Sequence, residues 1–440
     1  MSPSLATRLF ISACAFTGTT DLAAARKGAA YFLPALFAQR YANMGGLDRA
    51  AFARQLDGVR SFRDDRWCGH WNAIAAQHVA VAERALEDLI GSPAPGLLDA
   101  ASRVGALPLT DAQTARLAPA ALHLADHGPQ PQGTDPQQAG GPAAVVLDAW
   151  LKAITYYQIS AFPGHSPART RAYWRSRRLF DALLALMAPA IGLGVEEVEI
   201  PVEGDLVHGY LVLPPGPGPH PTVLVTNGLE GTTQELLIPL MRYRDDGIGV
   251  FVMEMPGTYA SHQPMSADSQ QAYHRVIDHL VADPRVDADR LGVVGVSFGG
   301  YWSTRLAATD PRLRCAVACG ALTYHSFQTS GSLGMPQAII QALRDTTGAT
   351  SLLDLGRKLR ALSLKDTYAD IDIPLLVING ADDTLASPQD SIDLAERARD
   401  ATLLLYPDDD HCAMGHYRDW LDESRRWLHH HLTTASPAPR

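Results

Sequence analysis

RLGVVGVSFGGY, residues 290–301, joins a short apolar strand to a helix through one serine. The small and β-branched residues Leu291 to Val296 read as a fully buried parallel strand. Gly295-Val296-Ser297-Phe298-Gly299 then forms a G-x-S-x-G, and the following YWSTRLAATD is helical in pattern. A nucleophilic serine needs that order. It must sit on a sharp, strained turn, and glycines two residues to either side leave room for neighbouring backbone. The turn holds Ser297 Oγ at the carboxyl end of a sheet, above a helix N-terminus whose partial positive charge favours an oxyanion. G-x-S-x-G alone recurs by chance; the strand before it, the helix after it and the extra Gly300 select the catalytic reading.

Working outward, the pattern has period two from Val195. VEEVEIPVEGDLVHGYLVLPPG reads as a hairpin turning at Glu203-Gly204-Asp205. Strands and helices then alternate through TVLVTNG, GIGVFVMEMPG, RLGVVGVS, CAVACGAL, PLLVING and TLLLYP. That alternation predicts an α/β fold with a mostly parallel eight-stranded sheet covered by helices on both faces. Thr232-Thr233-Gln234-Glu235 and Ser387-Pro388-Gln389-Asp390 look like capping boxes, the second with proline at the first helical position. Between Leu322 and Pro374 lie about fifty residues, twice what a simple crossover needs. Within them MPQAIIQALRD and TSLLDLGRKLRALS look helical, so a lid insertion is expected at about 325–370.

Upstream, residues 1–190 read as helical throughout, in segments such as DRAAFARQLDGVRSF and NAIAAQHVAVAERALEDLIG. Breaks fall at Gly91–Gly96 and in the Pro/Gly/Gln-rich stretch Asp126–Pro142, read as a flexible loop. The expected division is therefore a helical N-terminal cap domain, 1–190, and a catalytic domain, 191–440. Cap and lid should together roof the cleft over Ser297.

Hydrophobic residues make up 46% and charged residues 19% of the chain, an ordinary globular balance. The net charge of −10 argues against nucleic-acid or anionic-membrane partners. No stretch approaches the ~18–20 apolar residues of a membrane span. Leu9–Cys14 superficially resembles a lipoprotein signal, but only Arg8 precedes it and the apolar run is too short, so it reads as helix. Cys14, Cys68, Cys315, Cys319 and Cys412 are odd in number and scattered, which fits reduced, buried thiols in a cytoplasm rather than disulfides or a zinc site. His429-His430-His431 reads as surface on an amphipathic helix, and no metal or other cofactor is expected.

A serine hydroxyl is inert near neutral pH without a base, and the base needs an orienting carboxylate. Behind such an elbow the acid and then the histidine follow later strands. The G-x-x-D spacing after PLLVING picks Asp383, with Asp382 as its rival. TLLLYPDDDHC gives His411 as base; His416 reads as a helix-start or surface residue, and Asp408, Asp409 and Asp410 as residues solvating the loop. One oxyanion amide should be Phe298, directly after the nucleophile. The second should be Leu229 or Glu230, in the turn after TVLVTNG. Weaker substrate-binding candidates are His325, Tyr259, Trp67, Trp71 and Tyr157, with His70 and Tyr156 beside them; His325 equally suits a structural hydrogen-bonding role, aromatic residues at such spacing more often form helix core, and His262 reads as a loop residue.

An all-helical N-terminal third, then GYLVLP, TNGLEGTTQE, MPG, GVSFGG, NGADD and DHC, resembles the α/β-hydrolase group that includes 2,6-dihydroxypseudooxynicotine hydrolase, the fungal hydrolases that shorten polyketide pigment precursors, and the fermentation–respiration switch protein. The likeness runs from about residue 30 to 433. It implies Ser297, Asp383 and His411 as a triad, a substrate gripped between two domains, often a homodimer, and cleavage of a carbon–carbon bond beside a ketone in aromatic or polyketide-like substrates. The carbon–carbon hydrolase carries an extra acid after the strand that follows the elbow, whereas LTYHSFQTSGS (322–332) has no carboxylate. Ester, thioester and acyl-transfer or lactone-forming chemistry therefore stay open beside carbon–carbon cleavage. A non-catalytic, partner-binding protein that keeps the fold is the alternative of another class. A prolyl-peptidase is disfavoured, because the N-terminal region is helical rather than a set of repeated blades.

Overall fold

The computed structural model describes residues 4–34, 36–94, 96–100, 109–129, 136–328 and 334–434. Among the described residues, eight strands form one sheet in the order β1-β2-β4-β3-β5-β6-β7-β8. They are β1 (Gly194–Val202), β2 (Asp205–Leu213), β3 (His220–Thr226), β4 (Gly249–Met253), β5 (Val286–Val296), β6 (Leu313–Cys319), β7 (Leu375–Gly380) and β8 (Ala401–Tyr406). The first two pair antiparallel around Glu203-Gly204, and β2 is antiparallel to β4; all other pairs are parallel.

Residues alternate between two apolar layers, as the pleat requires. Val223, Val225, Val250 and Val252 face one cluster, while Leu224, Phe251 and Met253 face the other with Tyr273, Trp302 and Leu306. The helices on these faces include α10 (Thr233–Leu240), α11 (Gln270–Ala282), α12 (Phe298–Thr309), α15 (Pro388–Arg397) and α16 (Tyr417–Thr433). From β3 the chain steps to β4 on one side and then returns to β5 on the other. This reversal opens a crevice at the carboxyl ends of β3 and β5, where open α/β sheets bind their ligands.

The N-terminal helices are α1 (Leu5–Thr17), α2 (Thr20–Lys27), α3 (Leu36–Gly45), α4 (Arg49–Asp57), α5 (Asp64–Ile90), α6 (Leu97–Ala100), α7 (Asp111–His127), α8 (Pro136–Ala161) and α9 (Pro167–Ala190). Buried Trp67 and Trp71 on α5 share one apolar cluster with Trp150 and Tyr157 of α8, and Trp71 stacks on Tyr156; Trp67 Nε1 donates to the Ile159 carbonyl and Trp150 Nε1 to that of Leu179. Their apolar cluster runs without a break onto the sheet face and α16. The insertion between β6 and β7 carries α13 (Gln337–Thr347) and α14 (Leu352–Arg360). Of the stretch read as a flexible loop, 130–135 lie outside the described residues, and α8 already starts at Pro136 with a kink at Gly141.

One helix start differs from expectation. Thr232 and Glu235 do pair across the first turn of α10, the Thr232 N–H donating to Glu235 Oε2 at 3.0 Å. Ser387 makes no side-chain cap on α15, and its N–H donates to Ser326 Oγ at 2.8 Å instead of to Asp390, which is engaged elsewhere. Its carboxylate is buried and accepts from the backbone N–H groups of Tyr324, His325 and Ser326, tying α15 to the segment after β6. Among the described residues no helix is long and apolar enough to cross a membrane. All five cysteines are free and buried.

Candidate active site

Ser297 stands between β5 and α12 with φ 59° and ψ −121°, a backbone state that a side-chain-bearing residue adopts only under constraint. The constraint is visible in its neighbours. The Ser297 N–H donates to the Cys319 carbonyl at 2.7 Å, and its own carbonyl accepts from the Gly300 N–H at 2.8 Å. A Cβ on Gly295 would lie 1.9 Å from the Gly299 carbonyl oxygen, and one on Gly299 would lie 2.3 Å from that of Thr226. Glycine at both places is a steric necessity of the turn.

The other two side chains come from the ends of β7 and β8. His411 Nε2 lies 2.7 Å from Ser297 Oγ, and His411 Nδ1 lies 2.7 Å from Asp383 Oδ2. Asp383 is fully buried as a side chain. Its Oδ1 accepts from the N–H groups of Leu385 and Ala386 at 2.8 and 2.7 Å, and Oδ2 also accepts from Asn379 Nδ2 at 3.0 Å. Burial disfavours a charged imidazole at 411, but the carboxylate against it outweighs that and holds the pKa well above the ordinary histidine value. Asp382 is exposed and makes no hydrogen bond to the histidine.

Two of the three aspartates before His411 do more than solvate the loop. Asp410 accepts from the Thr384 N–H and hydroxyl and from the His411 N–H, all within 2.8 Å. Asp409 is buried and accepts from the N–H groups of Asp410, Gly415 and His416, and its Oδ2 lies 2.7 Å from the His416 ring. These bonds fold the backbone back on itself at Cys412 and Ala413, both at positive φ. Asp408 alone stays exposed.

Opposite the elbow, the turn after β3 makes the closest approach. A Cβ on Gly228 would sit 2.6 Å from Ser297 Cβ and 2.9 Å from both Phe298 N and Ser297 Oγ. The N–H groups of Phe298, Leu229 and Glu230 make no hydrogen bond among the described residues. Such unpaired donors around a serine are what a developing oxyanion requires. Glu230 holds φ 56°, and its side chain leaves the cleft. The carboxylate accepts from the Gly164 N–H and the Tyr259 hydroxyl at 2.9 and 2.8 Å and lies 3.0 Å from His165 Nε2.

A cavity of about 100 Å³ lies over Ser297 and His411. Its walls are apolar: Phe37 and Met44 from α3, Phe162 after α8, Ile339 and Leu343 from α13, and Leu229, Leu322, Leu385 and Met414 from sheet loops. Arg40 of α3 also lines it. None of the weaker substrate-binding candidates does. Trp67, Trp71 and Tyr157 are spent in helix packing, Tyr259 stacks on Tyr173 and serves Glu230, and His325 lies 3.2 Å from Asp393 on the outer side of the segment after β6. His262 is exposed. Arg40 and Phe37 carry no local signal, since they reach the site only because α3 packs against the turn after β3. Among the described residues, no group of three or more His, Cys, Asp or Glu is placed to hold a metal ion.

Comparison with known proteins agrees with this architecture. The family model described as FrsA-like, Esterase FrsA-like, matches residues 132–433. The 2,6-dihydropseudooxynicotine hydrolase of Paenarthrobacter nicotinovorans is 25% identical over 273 residues, 60% of this chain and 70% of that protein. Esterase FrsA of Yersinia pestis (strain Pestoides F) is 26% identical over 312 residues, 67% of this chain and 72% of that protein. With Esterase FrsA of Enterobacter sp. (strain 638) the identity is 28%, and the match spans about half of each chain, 49% and 53%. Among solved structures, that of 2,6-dihydroxy-pseudo-oxynicotine hydrolase superposes with a TM-score of 0.65 at 19% identity, covering 90% of this chain and 95% of that one. AbyA5 gives 0.57 at 23% identity, covering 72% and 88%. These two likenesses show the α/β-hydrolase fold.

Proposed function

The chain belongs to the FrsA-like esterase family, and on that premise we propose that it cleaves an activated carbonyl of an aromatic or polyketide-like small molecule through an acyl-enzyme on Ser297. His411 Nε2 takes the hydroxyl proton as Oγ bonds to the carbonyl carbon, and the carbonyl electron pair moves onto oxygen. The amides of Phe298 and of Leu229 or Glu230 hold that oxyanion. As the intermediate collapses, the bond to the leaving group breaks and the leaving group takes the proton from His411. Water, deprotonated by the same nitrogen, then attacks the acyl-enzyme; the bond to Oγ breaks, Oγ takes the proton back from His411, and the acid leaves. Asp383 keeps the Nδ1 proton in place and stabilises the transient imidazolium.

The observation that carries the reading is the chain of two 2.7 Å contacts from Asp383 through His411 to Ser297, facing unpaired amides. Ester and thioester cleavage is favoured over carbon–carbon cleavage. Residues 322–328 bear no carboxylate beside the site, while 329–332 lie outside the described residues. The roofing role of the N-terminal helices and lid, a homodimer and a cytoplasmic location, to which the free buried cysteines are suited, belong to the same reading. Ser297→Ala should lower turnover of p-nitrophenyl butyrate by about 10⁶ and abolish fluorophosphonate labelling. Wild-type turnover in that variant defeats the mechanism; unlabelled wild-type protein favours a non-catalytic binding protein.

A further inference from the structure

The cavity over Ser297 holds a polar group that the acyl-transfer steps leave unused. Arg40 reaches it from α3. Its Nε donates to Glu235 Oε1 at 2.7 Å, and its Nη2 donates to Glu235 Oε2 at 2.8 Å and to the Glu230 carbonyl at 3.1 Å. Nη1 makes no hydrogen bond among the described residues, the side chain is 16% exposed, and the residue lines the cavity. The other polar lining groups are accounted for. Asn227 Nδ2 donates to the Thr232 carbonyl, its Oδ1 accepts from the Gly228 N–H, and Cys412 Sγ points at the Cys319 carbonyl. Beyond the oxyanion amides, Ser297 and His411, Arg40 Nη1 is thus the remaining free donor on an otherwise apolar wall among the described residues.

Resting on the serine-hydrolase reading, we infer that Arg40 is a specificity-determining residue, whose Nη1 binds a second oxygen of the acyl group close to the scissile carbonyl. Two features define that oxygen. Nη2 already grips the carbonyl of Glu230, in the turn that offers the second oxyanion amide, so Nη1, one carbon away, serves an oxygen near the oxyanion and not at the far end of a long chain. Glu235, buried and bidentate, already neutralises the guanidinium. A keto, enol or hydroxyl oxygen then suits Nη1 better than a carboxylate, which would bury an unpaired charge. The substrate has an apolar acyl body with one further oxygen close to the reacting carbon, as in a 3-oxoacyl group. An acyl group lacking it leaves a buried donor unsatisfied, and a site built this way discriminates against that loss.

The test compares 3-oxobutanoyl and butanoyl thioesters of N-acetylcysteamine. It reads kcat/KM by thiol release and, for slow turnover, the concentration of each that halves fluorophosphonate labelling of Ser297. Wild type should prefer the oxo compound by about ten- to a hundredfold. Arg40→Lys, which keeps a charge against Glu235 but loses the planar fork, should collapse that ratio towards one, whatever happens to the common rate. A purely structural arginine would lower both substrates alike and leave the ratio intact. Equal handling of the two compounds by wild type overturns the inference without any variant, as does a ratio unchanged in Arg40→Lys. Absence of fluorophosphonate labelling marks instead the failure of the serine-hydrolase reading beneath it.

Discussion

Asp383→Asn isolates the carboxylate's work. Oδ1 of Asp383 accepts from two backbone N–H groups, so in the asparagine the carbonyl oxygen must take that side. The amide NH₂ is then forced towards His411 Nδ1 and Asn379 Nδ2, both of which Oδ2 meets in the native protein at 2.7 and 3.0 Å. A donor facing Nδ1 moves the imidazole proton to Nε2, where it points at Ser297 and cannot accept the hydroxyl proton. The expected loss is about 10⁴ in kcat, or about 5.5 kcal/mol of barrier. The clash of two NH₂ groups at Asn379 should cost a further ~1–3 kcal/mol of stability. The pH profile carries the sign. Turnover needs neutral His411 and the native carboxylate raises its pKa, so the wild-type acid limb should lie above the ordinary ~6.5. In Asp383→Asn the residual activity should keep its acid limb at lower pH. Steady-state hydrolysis of p-nitrophenyl butyrate from about pH 5 to about pH 9 reads both quantities. A variant keeping a tenth of wild-type kcat, or an acid limb that does not move, refutes the reasoning.

Other expectations follow from single contacts. Gly228→Ala pushes a methyl group to 2.6 Å from Ser297 Cβ and 2.9 Å from Phe298 N, so kcat should fall by at least ~10² and stability by ~1–3 kcal/mol, as kinetics beside calorimetry would show. Asp409→Asn removes, two residues before His411, the charge that organises three N–H groups and the His416 ring; kcat should drop about tenfold or more, with a loss of ~1–3 kcal/mol in urea unfolding. Because all five cysteines are free and buried, a chromogenic disulfide reagent should titrate none rapidly in the native protein and five in guanidinium chloride.

The sheet was readable because each strand is a local event. Val223, Val225, Val250 and Val252 alternate with Leu224, Phe251 and Met253, and a period of two needs no partner to be recognised. Ser297, Asp383 and His411 were nameable for a related reason, since each stands a fixed few residues past a strand end. The pocket wall had no such address. Arg40 meets Glu235 across 195 positions of sequence, and only the packing of α3 makes them neighbours. The aromatic candidates, which do not line the cavity over Ser297, show the converse. Trp67, Trp71 and Tyr157 have the spacing of a helix stripe, which is the same whether the stripe faces a ligand or another helix. Asp409 and Asp410 sit in a run of three identical letters, so what they cap depends on φ angles at Cys412 and Ala413 that the letters do not state.

The unbroken apolar layer from α5 and α8 through the sheet to α16 has a consequence for anyone wishing to re-engineer this protein. A seam of valines, leucines and tryptophans shared by both parts means that severing the backbone between Ala190 and Gly194 strips each fragment of its wall. Exchanging the helical portion for a relative's would demand co-transplanting the β3 and β4 side chains beneath it. Natural variation in substrate choice should accordingly arise by residue-level drift along α3 and α13 rather than by shuffling of whole modules.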